Sequence, residues 1–352
     1  MQAQTADSTE VEKLDAVVAE ESATDATEDV DVNALVFGHI GDAYEWHIAT
    51  IGDTSVRIPL PVIVKSSTGW HCFSSSRLEE GETYEGLYIA EGGTYDGKIV
   101  ERNAAGEEVR PLDISITKNV LGLFINSTVL VVILLSCACW YKKHPIEEGA
   151  PRGGVGMIES LVVMINKDVI KGCIGEDYKR YAPYLLTAFF FVLVNNLMGL
   201  IPIFPGGANV TGNIAVTLVL AMITFLFTNL FGTKAYWKDI FWPEVPTWLK
   251  VPIPMMPLIE FFGIFTKPFA LMIRLFANIM AGHAAILSLV AIIFITVKVG
   301  PVINGSMTFV AVVFGIFMDA LELLVAFIQA YVFTMLSAVF IGLSRVKGHE
   351  AK

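Results

Sequence analysis

The sequence predicts an all-α, polytopic membrane protein with about five spans and a small β-rich module outside the membrane. Hydrophobic residues make up 54% of the 352-residue chain, and charged residues only 17%. The mean hydropathy is +0.60. The chain also contains five apolar runs, each long enough to cross a hydrocarbon core of about 30 Å. These values are typical of polytopic membrane proteins and exclude an ordinary soluble enzyme.

The acidic residues are concentrated at the start of the chain. Residues 1–31 contain ten acidic residues and one lysine, a net charge of −9 out of the total of −11. A segment this acidic, without aromatic residues, cannot bury enough apolar surface to order itself. We therefore expect residues 1–35 to be a disordered acidic tail.

Residues 36–117 have the pattern of β structure. Asp96 and Gly97 stand between two short apolar runs, which is a hairpin signal. Pro59 and Pro61 interrupt another candidate strand, and prolines of this kind confine a strand to a sheet edge. The sequence predicts a small extracytoplasmic β-rich module, and no residue pattern in it indicates a chemistry.

The membrane domain is expected to cover residues 118–352. Its predicted spans lie at about 119–141, 181–203, 213–232, 257–297 and 308–343. The last run, of 36 residues, would extend about 54 Å as a helix. The last two spans should therefore form a long, tilted helical hairpin. Pro257 and Pro268 are expected to break or kink the first of them near its start.

Basic residues in the loops orient the spans. The loop from Lys142 to Arg180 has seven basic residues, whereas residues 204–212 have no charge. The positive-inside rule then places the C-terminus in the cytoplasm and the N-terminal region outside. Because translocation of so long a leader normally requires a cleaved signal, we expect this chain to be a mature or trimmed form.

Arg274 lies inside one of the longest apolar stretches. Arginine at the centre of a membrane helix costs about 2.5–3.5 kcal/mol on insertion scales, and it cannot lose its charge to escape that cost. At 100° per residue, Arg274 shares one stripe with Asn278, Ala281 and Ala285, whereas His283 points to the opposite face. A permanent charge at this depth indicates ion handling.

The last span also carries polar residues on one stripe. Glu322 and Gln329 are seven residues apart and nearly eclipsed, with Asp319 within about 60° of Glu322. Carboxyl groups inside a membrane are protonated or paired, and such a composition is typical of a proton relay. We interpret His283 and Glu322 as a proton-exchanging pair.

Structural alternatives remain open for each of these residues taken alone. Arg274 could join the helices through a salt bridge to Glu322 or Asp319. Three amides could make interhelical hydrogen bonds without any role in transport: Gln329, Asn278 and Asn213. Their joint occurrence on the longest helices favours ion transport.

Glu260 and Lys267 raise the same question at the cytoplasmic side of the fourth run. They are seven residues apart, so an ion pair at the membrane interface is an alternative to a channel role.

The sequence indicates no cofactor, since it has no phosphate-binding loop pattern and its four cysteines lack a metal-like spacing. Two other function classes make predictions of their own. A self-contained proton-coupled secondary transporter would predict internal repeats, and none is visible. A purely structural scaffold would predict that Arg274→Ala leaves ion flux unchanged.

Four stretches resemble one family in order and spacing. They are Met256–His283 with its Arg-Leu-Phe-Ala-Asn core, Asn195–Pro202, Thr211–Thr217 and Phe327–Phe333. They resemble bacterial subunit a of the F-type ATP synthase, and the resemblance covers roughly residues 115–345. The N-terminal region exceeds the family's short leader. Many bacterial members have a carboxyl at the position of His283 and a histidine at that of Glu322, so the pair is exchanged here.

The resemblance implies a proton-translocating stator in the inner, or plasma, membrane, with no catalytic site of its own. Arg274 would face a rotating ring of c subunits and prevent leakage between two half-channels. Polar positions of the outer half-channel would be His283, Glu322, Gln329 and Asn213, and Glu260 would supply a cytoplasmic-side carboxyl. The implied partners are the c-ring, the b-subunit peripheral stalk, the catalytic head and the lipid bilayer, without nucleic acid.

Overall fold

The protein is described by a computed structural model. The described residues are 41–51, 54–78, 82–90, 92–103, 106–144, 149, 151–201, 204–242 and 255–345. The predicted acidic tail, residues 1–35, lies outside these ranges.

The N-terminal module, residues 36–117, contains three small antiparallel sheets in its described part. Their strand orders are β1-β2, β4-β3-β8 and β5-β6-β7. The strands are β1 Glu45–Ile51, β2 Thr54–Pro59, β3 Pro61–Ser66, β4 Gly69–Ser74, β5 Leu87–Ile89, β6 Ile99–Arg102, β7 Glu108–Val109 and β8 Leu112–Asp113. Short 3₁₀ turns occur at Ser75–Arg77 and Gly93–Tyr95. The β-rich prediction is confirmed.

Two details of the module test the sequence predictions. The predicted hairpin is present, since β5 pairs with β6 and Tyr88 lies opposite Val100. The edge assignment is wrong for β3, which lies between β4 and β8. Pro61 is the first residue of β3, so its missing N–H falls at the end of the ladder and leaves the strand free to pair on both sides.

A small apolar core joins the second and third sheets of the module. Val62, Val64, Leu87 and Ile99 are all fully buried there. Tyr44 lies in the same cluster and donates a hydrogen bond from its hydroxyl to Asp113. Burial and this hydrogen bond raise the pKa of Tyr44. The module is therefore ordered by its own core up to the start of the first membrane helix.

The membrane domain consists of helices. They are α1 Lys118–Lys143, α2 Gly154–Met164, α3 Tyr178–Leu200, α4 Ile214–Leu230, α5 Lys234–Phe241, α6 Met255–Thr296 and α7 Pro301–Ser344. Within the described ranges, four helical segments are long and apolar enough to cross a membrane, or five if α4 and α5, bent by 98°, count as one span. The predicted polytopic fold is confirmed.

Two predicted loops contain helices. After α2 the chain continues as a π-helix, Ile165–Lys171, an α turn, Gly172–Ile174, and a 3₁₀ turn, Gly175–Asp177. The second predicted loop, between the spans expected at 213–232 and 257–297, contains α5. Both segments mix basic residues with apolar residues that are buried, among them Ile170 and Ile240, so their charge obscured their helical character.

The last two helices form the predicted hairpin, with different boundaries. α6 runs without interruption through Pro257 and Pro268, so of the predicted break or kink the break does not occur. Pro257 lies in the first turn, where its missing N–H has no helical partner, and a membrane helix tolerates a further proline. A 3₁₀ turn at Val297–Val299 leads to Gly300, with φ 128°, and α7 begins directly after it.

The C-terminal half of α7 and the middle of α6 pack onto α3. Leu271 and Leu275 of α6 and Phe333 of α7 belong to one buried cluster with Leu185 and Phe189 of α3. This core fixes the spacing of α6 and α7 where their polar residues lie.

Candidate functional site

The two long helices bring His283 and Glu322 together. The Nδ1 atom of His283 lies 3.2 Å from Oε1 of Glu322, and the two side chains are 18% and 4% exposed. Among the residues that the structure describes, neither carboxyl oxygen of Glu322 has a hydrogen-bond partner of good geometry. An acid and an imidazole are thus held at contact distance, and the carboxyl keeps free capacity to receive a proton.

A glycine makes this approach possible. A Cβ atom at position 282 would lie 2.8 Å from Oε1 of Glu322 and 3.1 Å from its Cδ. Because real Cβ atoms essentially never come so close to a neighbour, Gly282 is the opening in α6 into which the Glu322 carboxyl fits.

A second polar contact joins the same helices. Nδ2 of Asn278 donates a hydrogen bond to Oε1 of Gln329 at 2.8 Å, and Gln329 is 3% exposed. Gln329 lies seven residues after Glu322, about two turns further along α7. The interhelical hydrogen bond left open by the sequence is therefore made, and it extends the polar row begun by His283 and Glu322.

Arg274 lies on the face of α6 opposite His283, one turn before Asn278. Arg274, Asn278 and Ala281 are exposed on one stripe of α6, and Ala285 is half-buried. Within the described residues no salt bridge reaches Arg274, so the structural alternative of a bridge to Glu322 or Asp319 is not observed. A guanidinium on the apolar surface of a membrane helix is costly without a partner of opposite charge, and the described residues supply no salt bridge to it.

A polar cavity of about 610 Å³ opens beside the acid–imidazole pair. Its lining includes His283, Glu322, Asp319, Lys118 and Asn209. Asp319 is exposed and lies one turn of α7 before Glu322. The cavity can hold several water molecules with polar partners, so it can connect the pair to bulk water.

Asn213 and Glu260 lie apart from this cluster. Asn213 caps α4, where its side chain accepts a hydrogen bond from the backbone N–H of Ala215 at 3.0 Å. Glu260 lies near Tyr236 of α5, close enough for an electrostatic effect. It precedes His283 by 23 residues, about 35 Å along α6. No salt bridge joins Glu260 to Lys267 in the described part of the chain.

Two adjacent buried asparagines of α3, Asn195 and Asn196, make contacts that the sequence did not predict. Asn126 donates to Oδ1 of Asn195 at 3.0 Å. Asn196 donates to the carbonyl of Ala326 at 3.1 Å and accepts from Thr211. Since Ala326 lies between Glu322 and Gln329, Asn196 fixes α7 at the site. Adjacent amides within an apolar run were the available signal.

Metal binding by this cluster has no support in its geometry. Among the residues that the structure describes, no group of three or more His, Cys, Asp or Glu side chains is placed to hold a metal ion.

Comparisons with known sequences cover both parts of the chain. The family profile described as ATP synthase A chain matches residues 123–342, and that of a domain of unknown function matches residues 35–116. A Chlorobaculum tepidum protein named ATP synthase subunit a 2 is 47% identical over 253 residues, which cover 69% of this chain and 68% of that protein. Proteins named ATP synthase subunit a from Chloroherpeton thalassium and Myxococcus xanthus are 44% and 40% identical, over 67% and 68% of this chain and 68% and 76% of theirs.

Proposed function

Since this chain belongs to the ATP synthase A chain family, we propose that it is the stator that passes protons between the two sides of the membrane and a rotating c-ring. The chain is a multi-pass membrane protein and a non-catalytic component of the ATP synthase complex. One observation carries the proposal: on one face of α6 the half-buried His283 meets the buried Glu322 of α7, and on the other face Arg274 is exposed and, among the described residues, without a salt bridge.

The outer half-channel runs from the polar cavity to the ring. Water in the cavity delivers a proton to the His283–Glu322 pair, whose atoms are 3.2 Å apart. The Asn278–Gln329 contact at 2.8 Å continues the polar row toward the exposed stripe of α6. Asp319 is a second acidic residue at the cavity. Asn213 caps the start of α4. A proton therefore has a route from bulk water to the surface that the ring would occupy.

Arg274 separates the two half-channels. A ring carboxylate that approaches the guanidinium is stabilised in its ionised form by the opposite charge, so it releases its proton before passing. Because Arg274 neither accepts nor donates a proton at working pH, it does not relay protons itself. The exposed Ala281 next to it on the stripe leaves room for a close-fitting rotor.

The inner half-channel begins on the cytoplasmic side, where we assign Glu260 as its carboxyl. Its position about 35 Å along α6 from His283 supports this assignment, because a separate exit path needs a group at the other membrane surface. The N-terminal region lies outside the membrane and the C-terminus in the cytoplasm, as the loop charges favour. The b-subunit peripheral stalk would hold the chain against the catalytic head.

The surface position of Arg274 disfavours a self-contained proton-coupled transporter. In such a protein the charge would face a substrate cavity or an internal partner. On an exposed stripe of α6 it would instead face lipid, at a cost of about 2.5–3.5 kcal/mol or more. A ring of carboxyl-bearing subunits removes that cost.

An exchange of the pair tests the proposed function. In the assembled complex, His283→Glu and Glu322→His are each expected to lower ATP-driven proton pumping by about 100-fold, the usual contribution of a positioned acid or base. The double variant restores one acid and one imidazole and should recover part of the rate. Ser288→Ala is the control, because Ser288 lies on the same helix and its hydroxyl donates to the backbone carbonyl of Ala284. Additive losses in the double variant would argue against a working pair.

Gly282→Ala is expected to slow pumping without preventing folding. The new Cβ would displace the flexible Glu322 carboxyl from His283, and a misplaced reacting group costs about tenfold or more. The matched control is Gly263→Ala on the same helix, where a Cβ meets nothing within 4 Å. Pumping per assembled complex is the measurement, and equal rates in the two variants would show that the close approach of Glu322 is unimportant.

A further inference from the structure

The N-terminal module is packed onto the loop that borders the polar cavity. Trp46 of β1 is 2% exposed, and its ring meets Phe204 edge-on at a centroid distance of 5.3 Å. Ala208 and Val210 belong to the same buried cluster. A Cβ at Gly122 of α1 would lie 2.5 Å from Cβ of Ala208, so α1, the loop and the module meet without spare room.

Two hydrogen bonds fix the module to the start of α1. The backbone N–H of Lys118 donates to the carbonyl of Ala43 at 2.9 Å. The N–H of Asn119 donates to Oδ1 of Asp42 at 3.0 Å. Both donors belong to the first turn of α1, whose N–H groups have no partner within the helix. The first strand of the module therefore keeps a set position relative to the membrane helices.

This docking makes the module part of the cavity wall. Trp46 and Ile48 line the cavity together with His283 and Leu287 of α6. Trp46 is sealed into the interface, whereas Ile48 is 37% exposed. A path from outside to His283 therefore passes along side chains of the module.

Lys118 is the one cationic Lys or Arg side chain among the described residues that line the cavity. The groups around it are acidic or titratable: Asp42 and His283 are within electrostatic range, and Asp319 and Glu322 share the lining. An ammonium here offsets the attraction that these carboxyl groups would exert on a metal cation. A proton meets the same repulsion but gains a covalent bond at His283 or Glu322, which a metal cation does not.

We infer that the N-terminal module forms the outer wall of the proton-access cavity and that Lys118 supplies a positive charge there which keeps metal cations from accumulating. This inference rests on the proposed function. It assigns to residues 36–117 a role in ion access and selectivity, and it makes Lys118 a specificity-determining residue.

Thiol labelling tests the wall. Two single-cysteine holoenzymes are prepared in a background without the other native cysteines: one carries Ile48→Cys and the other keeps Cys72, which is exposed on the same module. Each is labelled with a bulky thiosulfonate in detergent, reconstituted, and assayed for ATP-driven proton pumping. Labelling at Ile48→Cys should lower pumping about tenfold or more, and labelling at Cys72 should leave it unchanged.

The controls separate failure of the wall from failure of the proposed function. If unlabelled enzyme pumps and labelled Ile48→Cys pumps like labelled Cys72, the module is not part of the path and the inference is overturned. If unlabelled enzyme with native His283 and Glu322 pumps no protons, the proposed function itself fails. Leu287→Cys, on the opposite wall of the cavity, is labelled in the same way. If labelling lowers pumping at Leu287→Cys but not at Ile48→Cys, the role of the module is also overturned.

Charged reagents test Lys118. For each thiosulfonate, the rate of reaction at Ile48→Cys is divided by its rate with a small thiol in solution. The ratio of the anionic reagent's normalised rate to that of the cationic reagent should exceed one. Lys118→Gln should shift this ratio roughly tenfold toward the cationic reagent, as expected for loss of one unit charge nearby, and external Na⁺ should then inhibit pumping. Lys65→Gln, on β3 and stacked over Trp70 away from the cavity, is the control. An unchanged ratio and unchanged Na⁺ sensitivity in Lys118→Gln would overturn the role of the charge.

Discussion

Replacing Arg274 with glutamine is expected to abolish coupled proton pumping while the complex still assembles. The side chain is exposed and makes no salt bridge within the described residues, so its replacement removes no ion pair there and should leave the fold intact. The neutral amide no longer stabilises an ionised ring carboxyl. Loss of one positioned charge in a water-poor site lowers a rate by on the order of 100- to 1,000-fold. ATP-driven acidification of inverted membrane vesicles is the measurement.

Arg274→Lys should also pump poorly, because an ammonium lacks the planar guanidinium and can lose its proton when it is desolvated. Lys179→Gln, an exposed position at the start of α3, is the control for a general loss of positive charge. Normal pumping by Arg274→Gln, with the complex intact, would be incompatible with the proposed role.

Gly342→Ala is expected to destabilise the protein strongly. A Cβ at this position would lie 2.2 Å from the carbonyl oxygen of Cys173 and 3.0 Å from its carbonyl carbon. The clash is with backbone, so no side-chain rotation relieves it, and overpacking of this kind costs about 1–3 kcal/mol or more. The end of α7 would separate from the turn that follows the π-helix. The thermal midpoint and the yield of purified complex are the measurements.

Gly315→Ala is the matched control for Gly342→Ala. It lies on the same helix, and a Cβ there meets nothing within 4 Å. Alanine favours a helix over glycine by about 1 kcal/mol, so this variant should be at least as stable as the wild type. Equal midpoints for the two variants would show that α7 does not pack as closely as described.

The sequence predicted the parts of the site that depend on helical periodicity. A repeat of 3.6 residues places Arg274 and His283 on opposite faces of α6, and the structure has Arg274 exposed and His283 beside Glu322. The long apolar runs likewise predicted the hairpin of α6 and α7. The faces and the lengths of the helices follow from the local sequence of each helix, which is why they could be predicted.

Contacts between distant segments could not be predicted from helical periodicity. The fit of Glu322 against Gly282 depends on where two helices cross, and the hydrogen bond from Asn196 to Ala326 depends on how α3 packs. Asn213 differs from these, since its side chain caps its own helix, a contact that is local in the sequence. The cavity wall from Trp46 could not be predicted, because no local pattern relates a strand residue to a membrane loop.

The central claim is that protons cross the membrane only together with the rotor ring, because Arg274 separates two half-channels. Passive proton flux through head-free membranes tests it most directly, with the ring cross-linked to a cysteine placed at Ala281 on the exposed stripe of α6. Flux should fall to background when the cross-link forms and return when it is reduced. Undiminished flux through a fixed ring would contradict the claim.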